Sequence, residues 1–260
     1  MNKLKDIYYL IYNNFLVPDR MNEYGEILRL ATTNGYCFYT LGEYLQAIQE
    51  HKQPRDKHII IRHDIDTDPS GALSFAAEEA KHGIHASYYF RLKTWDQRIV
   101  NELKAQGHEI GYHYEEIATY AKEHRLRTVN AIEKSLPLIR SMFRRNLSRL
   151  RILNEIGGFA SHGDFANRLL KVSNTLLLLN DELRAEQGIL YEAYDPILTD
   201  AYGTHLSDKP YPIRYSPDSP QNLINRGESF LWLSHPRWWK RNPKANLLEL
   251  KGRIKEGILW

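Results

Sequence analysis

The stretch HIIIRHDIDTDPSGAL, residues 58–73, joins a hydrophobic strand to a helix through a group of acidic side chains. The run of isoleucines favours a buried strand, and Asp68 followed by Pro69 is typical of a helix start. Asp64 and Asp66 lie between the two, where neighbouring carboxylates repel each other unless a cation or hydrogen-bond donors compensate. The stretch therefore predicts one strand–helix unit of an α/β fold, with a compensating group near its carboxylates.

The composition is that of a soluble globular protein. Of the 260 residues, 26% are charged and 42% are hydrophobic, which argues against a disordered chain. A net charge of +3 is too small to indicate a nucleic-acid partner, and the single cysteine excludes a cysteine-based zinc site. The N-terminal apolar patch lacks a small-residue cleavage site, and no run of apolar residues is long enough to span a membrane. We therefore expect a cytoplasmic protein with no membrane span.

Strand-like and helix-like segments alternate from about residue 58 onwards. Further strands are predicted in HASYYFRL, HEIGYHYE, GGFASHG and ESFLWLSHP, with a long helix over residues 126–143. Such alternation predicts a largely parallel sheet with right-handed crossovers, either open or closed into a barrel. The carboxyl ends of parallel strands share one face, where these folds place ligands. On that face we expect Asp64, Asp66, His113, His162 and His235.

The residue types at these strand ends indicate metal chemistry. Asp64 and Asp66 share a side because side chains alternate along a strand. His63 has the opposite parity and is interpreted either as packing or as a residue that supports the ligands from behind. One aspartate with two histidines is the ligand set of a catalytic zinc-type site. A divalent cation there lowers the pKa of a bound water and polarises a carbonyl. A second carboxylate then serves as base and a further histidine as acid.

The combination of RHDID, GHEIGYHYE, ASHGD and LSHPRWW resembles the NodB-like polysaccharide deacetylases, also called carbohydrate esterase family four. It is most similar to their intracellular branch, which carries HDxD in place of TFDDG. The upstream YGEILRLATTNGYCFYTLGEYL resembles the leader of such domains. The resemblance implies an α/β fold of the distorted (β/α)-barrel type in a single domain. Residues 1–57 would be a leader packed on a deacetylase-like barrel of residues 58–260.

The resemblance also implies an activity, which is metal-dependent hydrolysis of N-acetyl or O-acetyl groups on sugars. The cofactor is a divalent metal, most often zinc. Because the chain carries no secretion signal, the expected substrate is an acetylated, nucleotide-linked or lipid-linked glycan intermediate of cell-surface polysaccharide biosynthesis.

Carried over residue by residue, the family's motifs assign a metal ligand to Asp66 and another to His113. The second histidine of that motif should fall four residues later, where this chain has Ile117. This is a departure from the family pattern. His162, in the ASHGD motif, is the first candidate to replace it, and Glu115 is the next.

The same resemblance assigns the catalytic roles. Asp64 corresponds to the base, although the altered spacing leaves the reverse order of Asp64 and Asp66 open. His235 matches the family's acid histidine, and Asp200 in LTDAYG resembles an acidic residue that orients it.

Two other functions compete with this interpretation. DID after a strand is typical of the DxD motif of glycosyltransferases, but about 60 residues precede it, which leaves little room for a nucleotide-binding half. A catalytically degenerate barrel that binds sugar without cleaving it would suit the missing ligand at Ile117.

Two sets of side chains fit a solvated surface or packing as well as a ligand. Five arginines in and after the long helix form a basic cluster that either is solvated or contacts a phosphate. Three tryptophans either pack in the core or stack on a sugar. These residues are Arg140, Arg144, Arg145, Arg149 and Arg151, and Trp232, Trp238 and Trp239.

Overall fold

The computed structural model describes residues 3–52 and 56–260. Its strands are β1 (Cys37–Tyr39), β2 (His58–Ile65), β3 (Ser87–Phe90), β4 (Glu109–Tyr114), β5 (Gly158–Ser161), β6 (Thr204–Asp208), β7 (Tyr215–Ser216) and β8 (Phe230–Ser234). They form one sheet in the order β5-β4-β3-β2-β8-β6-β7, and β1 also pairs with β2. Every ladder is parallel except β6–β7. The predicted single-domain α/β fold with a largely parallel sheet is confirmed.

The closed form of the sheet is not shown by these ladders. The strand order has β5 at one end and β7 at the other, and no ladder of the described strands joins them. The distorted barrel therefore stays a prediction.

The central strand β2 explains why the opening stretch dominates the fold. All eight of its residues are buried. It pairs with β8 along one edge, while β1 and β3 share the other edge at residues 58–60 and 62–65. Burial on both faces favours a continuous run of isoleucines over an alternating pattern. Each buried isoleucine contributes about 1.5–3 kcal/mol relative to exposure.

Helices connect the strands and cover the sheet. They are α1 (Lys3–Ile11), α2 (Met21–Thr33), α3 (Leu41–Gln49), α4 (Ser70–Ala80), α5 (Gln97–Ala105), α6 (Glu116–Glu123), α7 (Val129–Arg151), α8 (Phe165–Leu170), α9 (Asp181–Glu186), α10 (Pro196–Thr199), α11 (Pro220–Arg226) and α12 (Pro243–Leu259). None of the helices within the described ranges is both long and apolar enough to cross a membrane.

The segment before β2 shares the core of the rest of the protein. Tyr24 and Ile27 of α2 lie in the same buried cluster as Ile61 of β2 and Trp232 of β8. Strand β1 extends the sheet beside β2. Residues 3–52 are therefore packed as part of the domain, whereas residues 1–2 and 53–55 lie outside the described part.

Candidate active site

Polar side chains meet where the parallel strands end. Asp66, His162 and His235 follow β2, β5 and β8, and His113 and Asp208 lie at the ends of β4 and β6. Because these strands run parallel, their carboxyl ends open on one edge of the sheet. The expected residues that the structure brings together are Asp64, Asp66, His113, His162 and His235.

Asp66, His113 and His162 direct three ligand atoms at one another. Asp66 Oδ1 lies 3.0 Å from His162 Nδ1 and 3.3 Å from His113 Nε2. The two nitrogens are 3.2 Å apart. A tetrahedral zinc ion with bonds of about 2.0–2.1 Å holds its ligand atoms about 3.3 Å apart. The three separations therefore fit three corners of a tetrahedral site.

The hydrogen bonds around these atoms also favour a cation. Asp66 Oδ1 is buried and has no hydrogen-bond partner among the described residues. His113 Nδ1 lies 2.9 Å from the carbonyl oxygen of Ala160. A carbonyl only accepts, so Nδ1 carries a proton, and in the form of the ring that binds a metal Nε2 turns its lone pair toward Asp66. Two acceptors at this distance repel each other unless a cation lies between them, so these residues fit a divalent metal.

The ionisation of the same residues suits metal ligation. Burial raises the pKa of Asp66, but the facing His162 and His113 outweigh burial and hold that pKa well below its ordinary value. Burial lowers the pKa of His162, which favours the neutral imidazole. An ionised carboxylate and neutral imidazoles are the forms that bind metals.

Asp64 is held by a buried arginine that the sequence analysis did not single out. Arg62 donates from Nε to Oδ1 and from Nη2 to Oδ2 of Asp64, each at 2.8 Å. Burial raises the pKa of Asp64, but the charge of Arg62 lowers it below its ordinary value. Both oxygens of Asp64 are thus engaged, whereas Asp66 Oδ1 is not. Arg62 lies two residues before Asp64, and strand parity could have paired the two.

His235 is paired with an aspartate at the end of the neighbouring strand. Asp208 Oδ1 lies 2.6 Å from His235 Nδ1, and Oδ2 accepts from Trp239 Nε1 at 2.8 Å. Burial lowers the pKa of His235, but Asp208, with Asp66 and Asp64, raises it to about 9. The imidazole is therefore protonated at neutral pH, and its Nε2 lies 4.0 Å from Asp66 Oδ2. His235 is placed to donate a proton into the site.

The expected contact between Asp200 and His235 is wrong. Asp200 is exposed and directly follows α10. Asp208 makes the contact instead, because β6 lies beside β8 and ends next to His235. The strand-like THLSD at residues 204–208 carries this acid at its end, and that pattern could have identified it.

The structure shows where Ile117 and the alternative ligand candidate Glu115 lie. Ile117 is fully buried in the hydrophobic core beside α7, and its aliphatic side chain cannot ligate a metal. Glu115 is engaged by Arg91, and although burial raises its pKa, Arg91 lowers it to about 2. A second possible ligand group joins Glu115, His162 and Asp164, but its carboxylates already pair with Arg91 and Lys122. The group around Asp66 is thus the one whose carboxylate makes no ion pair with an arginine or lysine among the described residues.

A polar cavity opens beside His162. Its volume is about 310 Å³, and its walls include Ser161, Asn167, Ser173 and the ring of Tyr194. Hydroxyl groups beside an aromatic ring are suited to a sugar, which offers hydroxyls and an apolar face.

The structure shows the partners of the arginine cluster and the burial of the three tryptophans. Arg144 pairs with Glu186, Arg145 donates to Ser141 Oγ, and Arg151 donates to the carbonyl of Gln187. Three of the five arginines are therefore already engaged within the protein. Trp232 and Trp239 are fully buried in the core, whereas Trp238 is only partly buried.

Comparisons with protein-family models, with curated proteins and with solved structures found no match for this chain. Its function therefore has to be inferred from the residues and geometry of the site.

Proposed function

We propose that the protein is a metal-dependent hydrolase that removes acetyl groups, N- or O-linked, from a sugar or glycan intermediate. The observation that carries this proposal is the buried, unpartnered Oδ1 of Asp66 facing two histidine nitrogens at 3.0 and 3.3 Å. A carboxylate with two imidazoles, and no thiolate, suits zinc and leaves room for substrate. The motifs that resemble the NodB-like deacetylases support the same assignment.

Asp66, His113 and His162 would hold the ion. Bound there, it would lower the pKa of a water and polarise the acetyl carbonyl. Ala160 fixes the His113 ring through Nδ1, so that Nε2 is directed at the site.

Asp64 and His235 would divide the proton transfers. Asp64, ionised and held by Arg62, would accept the proton of the attacking water at Oδ2, the oxygen 3.4 Å from His113 Nε2. His235, protonated and anchored by Asp208, would donate from Nε2 to the departing amine or alcohol. An acid and a base of different pKa on the same edge are what such a hydrolysis requires.

The finer parts of the proposal follow from the resemblance. They are the distorted barrel, zinc as the metal, a cytoplasmic location, and a nucleotide-linked or lipid-linked glycan of cell-surface polysaccharide biosynthesis as substrate. The polar cavity beside His162 supports a sugar as the acyl carrier.

A sugar-binding protein without activity is the second candidate, and the observation that favours it is Ile117 at the family's third ligand position. Elemental analysis and acetate release from N-acetylated and O-acetylated sugars would separate the two. The parent should bind about one equivalent of zinc and release acetate, and Asp66→Asn should do neither. Asp68→Asn is the matched control, because Asp68 lies in the same stretch but accepts from Ser70. Sugar binding without any acetate release would establish the second candidate.

A further inference from the structure

Four arginines are buried in the described part of the chain, and three of them face a carboxylate. Arg20 makes two bonds of 2.7 Å to Glu23, Arg62 makes two of 2.8 Å to Asp64, and Arg91 is held in the same two-pronged way by Glu115. Arg237 is the exception. It is 8% exposed, yet none of the ion pairs among the described residues includes it.

The contacts of Arg237 leave its charge uncompensated. Nη2 donates to Asn14 Oδ1 at 3.0 Å and Nη1 to Thr67 Oγ1 at 3.3 Å, both neutral acceptors, and Nε has no partner among the described residues. The guanidinium lies 4.5 Å from the Trp238 ring centroid. Burial, followed by the charge of Arg253, lowers the pKa of Arg237. A buried charge without a counter-ion is costly, and an anion would remove that cost.

Arg237 lines a cavity of about 400 Å³. Tyr9, Tyr211 and Trp238 form aromatic parts of its wall. Glu249 also lies there, but it is already paired with Lys93 at 2.6 Å. Arg253, 51% exposed, pairs with Glu249 as well, and Asp6 in the same wall is exposed to solvent. The guanidinium of Arg237 therefore remains the buried cation of the wall without an ion pair among the described residues.

The cavity lies close to the candidate metal centre. Arg237 follows His235 by two residues, and its Nη1 contacts Thr67, the residue after Asp66. A molecule whose acetyl group reaches Asp66 and His235 could therefore extend toward Arg237.

We propose that Arg237 and this cavity bind a phosphate group of the substrate. The planar guanidinium fork suits phosphate oxygens, and Nη1 and Nη2 each keep a second N–H beyond the bonds to Thr67 and Asn14. The rings of Tyr9, Tyr211 and Trp238 would contact the group to which the phosphate is attached. This inference rests on the proposed function only for the idea that the phosphate belongs to a sugar derivative. We therefore expect the phosphate to contact Arg237 and not the arginines of α7.

Calorimetric titration with inorganic pyrophosphate tests the site without requiring turnover. The parent should bind, and Arg237→Gln should weaken binding about tenfold or more, because charge-assisted hydrogen bonds are lost. Arg237→Lys keeps the charge and should retain part of the affinity. Arg253→Gln, in the same wall but exposed, and Arg144→Gln, in the basic cluster, are matched controls that should change affinity less than about threefold.

Two further arms separate this proposal from the hydrolase proposal. Asp66→Asn should bind pyrophosphate like the parent, whereas loss of binding there would place the anion at the metal centre and overturn the assignment. Glucuronate binding as tightly as pyrophosphate would overturn the choice of phosphate. Unchanged binding by Arg237→Gln would overturn the site itself, with thermal unfolding used to verify that each variant is folded.

Competition identifies the source of the phosphate. Uridine diphosphate N-acetylglucosamine should displace pyrophosphate if the substrate is nucleotide-linked, and vesicles containing undecaprenyl phosphate should do so if it is lipid-linked. Displacement by one of them supports the proposal and assigns the source. Displacement by neither would show that the cavity does not take the phosphate of a sugar carrier.

Discussion

Strand β2 carries a histidine–carboxylate cluster on each of its two sides, and the clusters differ in hydrogen bonding. The His63 cluster consists of Tyr24, His63, Glu79 and Tyr88. Here His63 Nε2 lies 2.7 Å from Glu79 Oε1, and its Nδ1 lies 3.0 Å from Ser234 Oγ. Both tyrosine hydroxyls donate to Glu79, at 2.7 and 2.6 Å. Every ring nitrogen and carboxylate oxygen of His63 and Glu79 is thus engaged, and both residues are fully buried.

The Asp66 cluster, consisting of Asp66, His113 and His162, has similar chemistry but is not satisfied. Asp66 Oδ1 faces two imidazole nitrogens without forming a hydrogen bond. It also lies at the carboxyl edge of the sheet, whereas the His63 cluster is enclosed by α2 and α4. Histidine and carboxylate content alone therefore does not distinguish a candidate metal centre from a buried structural cluster. The unsatisfied ligand atom and the strand-end position distinguish the two here.

The largest effect should come from breaking the Asp66 cluster. His162→Gln and His113→Gln should each lose the metal, and turnover should fall about 10⁴-fold or more, because carbonyl polarisation and the acidified water are lost together. Elemental analysis and acetate release measure both effects. His63→Gln is the matched control in the other cluster and should keep the parent's metal content. Retention of metal by both His162→Gln and His113→Gln would contradict the assignment.

The second-largest effect on turnover should come from removing the proposed general acid, His235. His235→Gln should keep the metal and lower turnover about 10²–10⁴-fold on an N-acetyl sugar, since the amine leaves poorly without a proton. An activated aryl ester needs no such proton and should lose far less. Steady-state rates on the two substrates give the comparison, with Lys240→Gln, at an exposed residue just after the same turn, as the control. Equal losses on both substrates would show that His235 positions or stabilises and does not act as the acid.

Strand-end reasoning could predict the Asp66 cluster because parallel strands bring their ends together whatever connects them. The THLSD pattern marks Asp208 as an acid at a strand end, but it does not show that Asp208 meets His235. Strand β6 follows a long segment of short helices, and its place beside β8 is set by tertiary pairing. Arg237 shows the same limit, because whether an arginine has an acidic partner depends on packing across the chain. Helix α7 runs to Arg151, beyond the predicted end at residue 143, and its additional residues include several strong helix formers.

A smaller effect, on stability alone, should follow from breaking the His63 cluster. Glu79→Gln replaces one acceptor oxygen by a donor that faces Tyr88 or His63, and it removes the charge that His63 contacts. The free energy of unfolding should fall by about 3 kcal/mol, measured by denaturant titration. Glu78→Gln is the matched control, because Glu78 pairs only with the exposed Lys81 and should cost less than about 1 kcal/mol. If Glu79→Gln released the metal, the two clusters would not be separate.

The smallest effect tests whether an unsatisfied atom is sufficient to make a ligand. His205 Nε2 is buried without a hydrogen-bond partner among the described residues, yet His205 belongs to neither cluster.

Burial, followed by the charge of Arg62, lowers the pKa of His205 from 6.5 to about 4. As the pH falls, His205 therefore binds a proton near pH 6.5 in the unfolded chain but only near pH 4 in the folded protein. Stability from this group is complete above pH 6.5 and is lost as the pH falls toward 4. His205→Gln should keep its metal and show a shallower loss of stability over that range, by at most about one proton in the slope. Unfolding free energies between those two pH values would measure it, and an unchanged slope would contradict the depressed pKa. Loss of metal would instead extend the metal centre to His205 and weaken the criterion that an unsatisfied atom must also face other ligands.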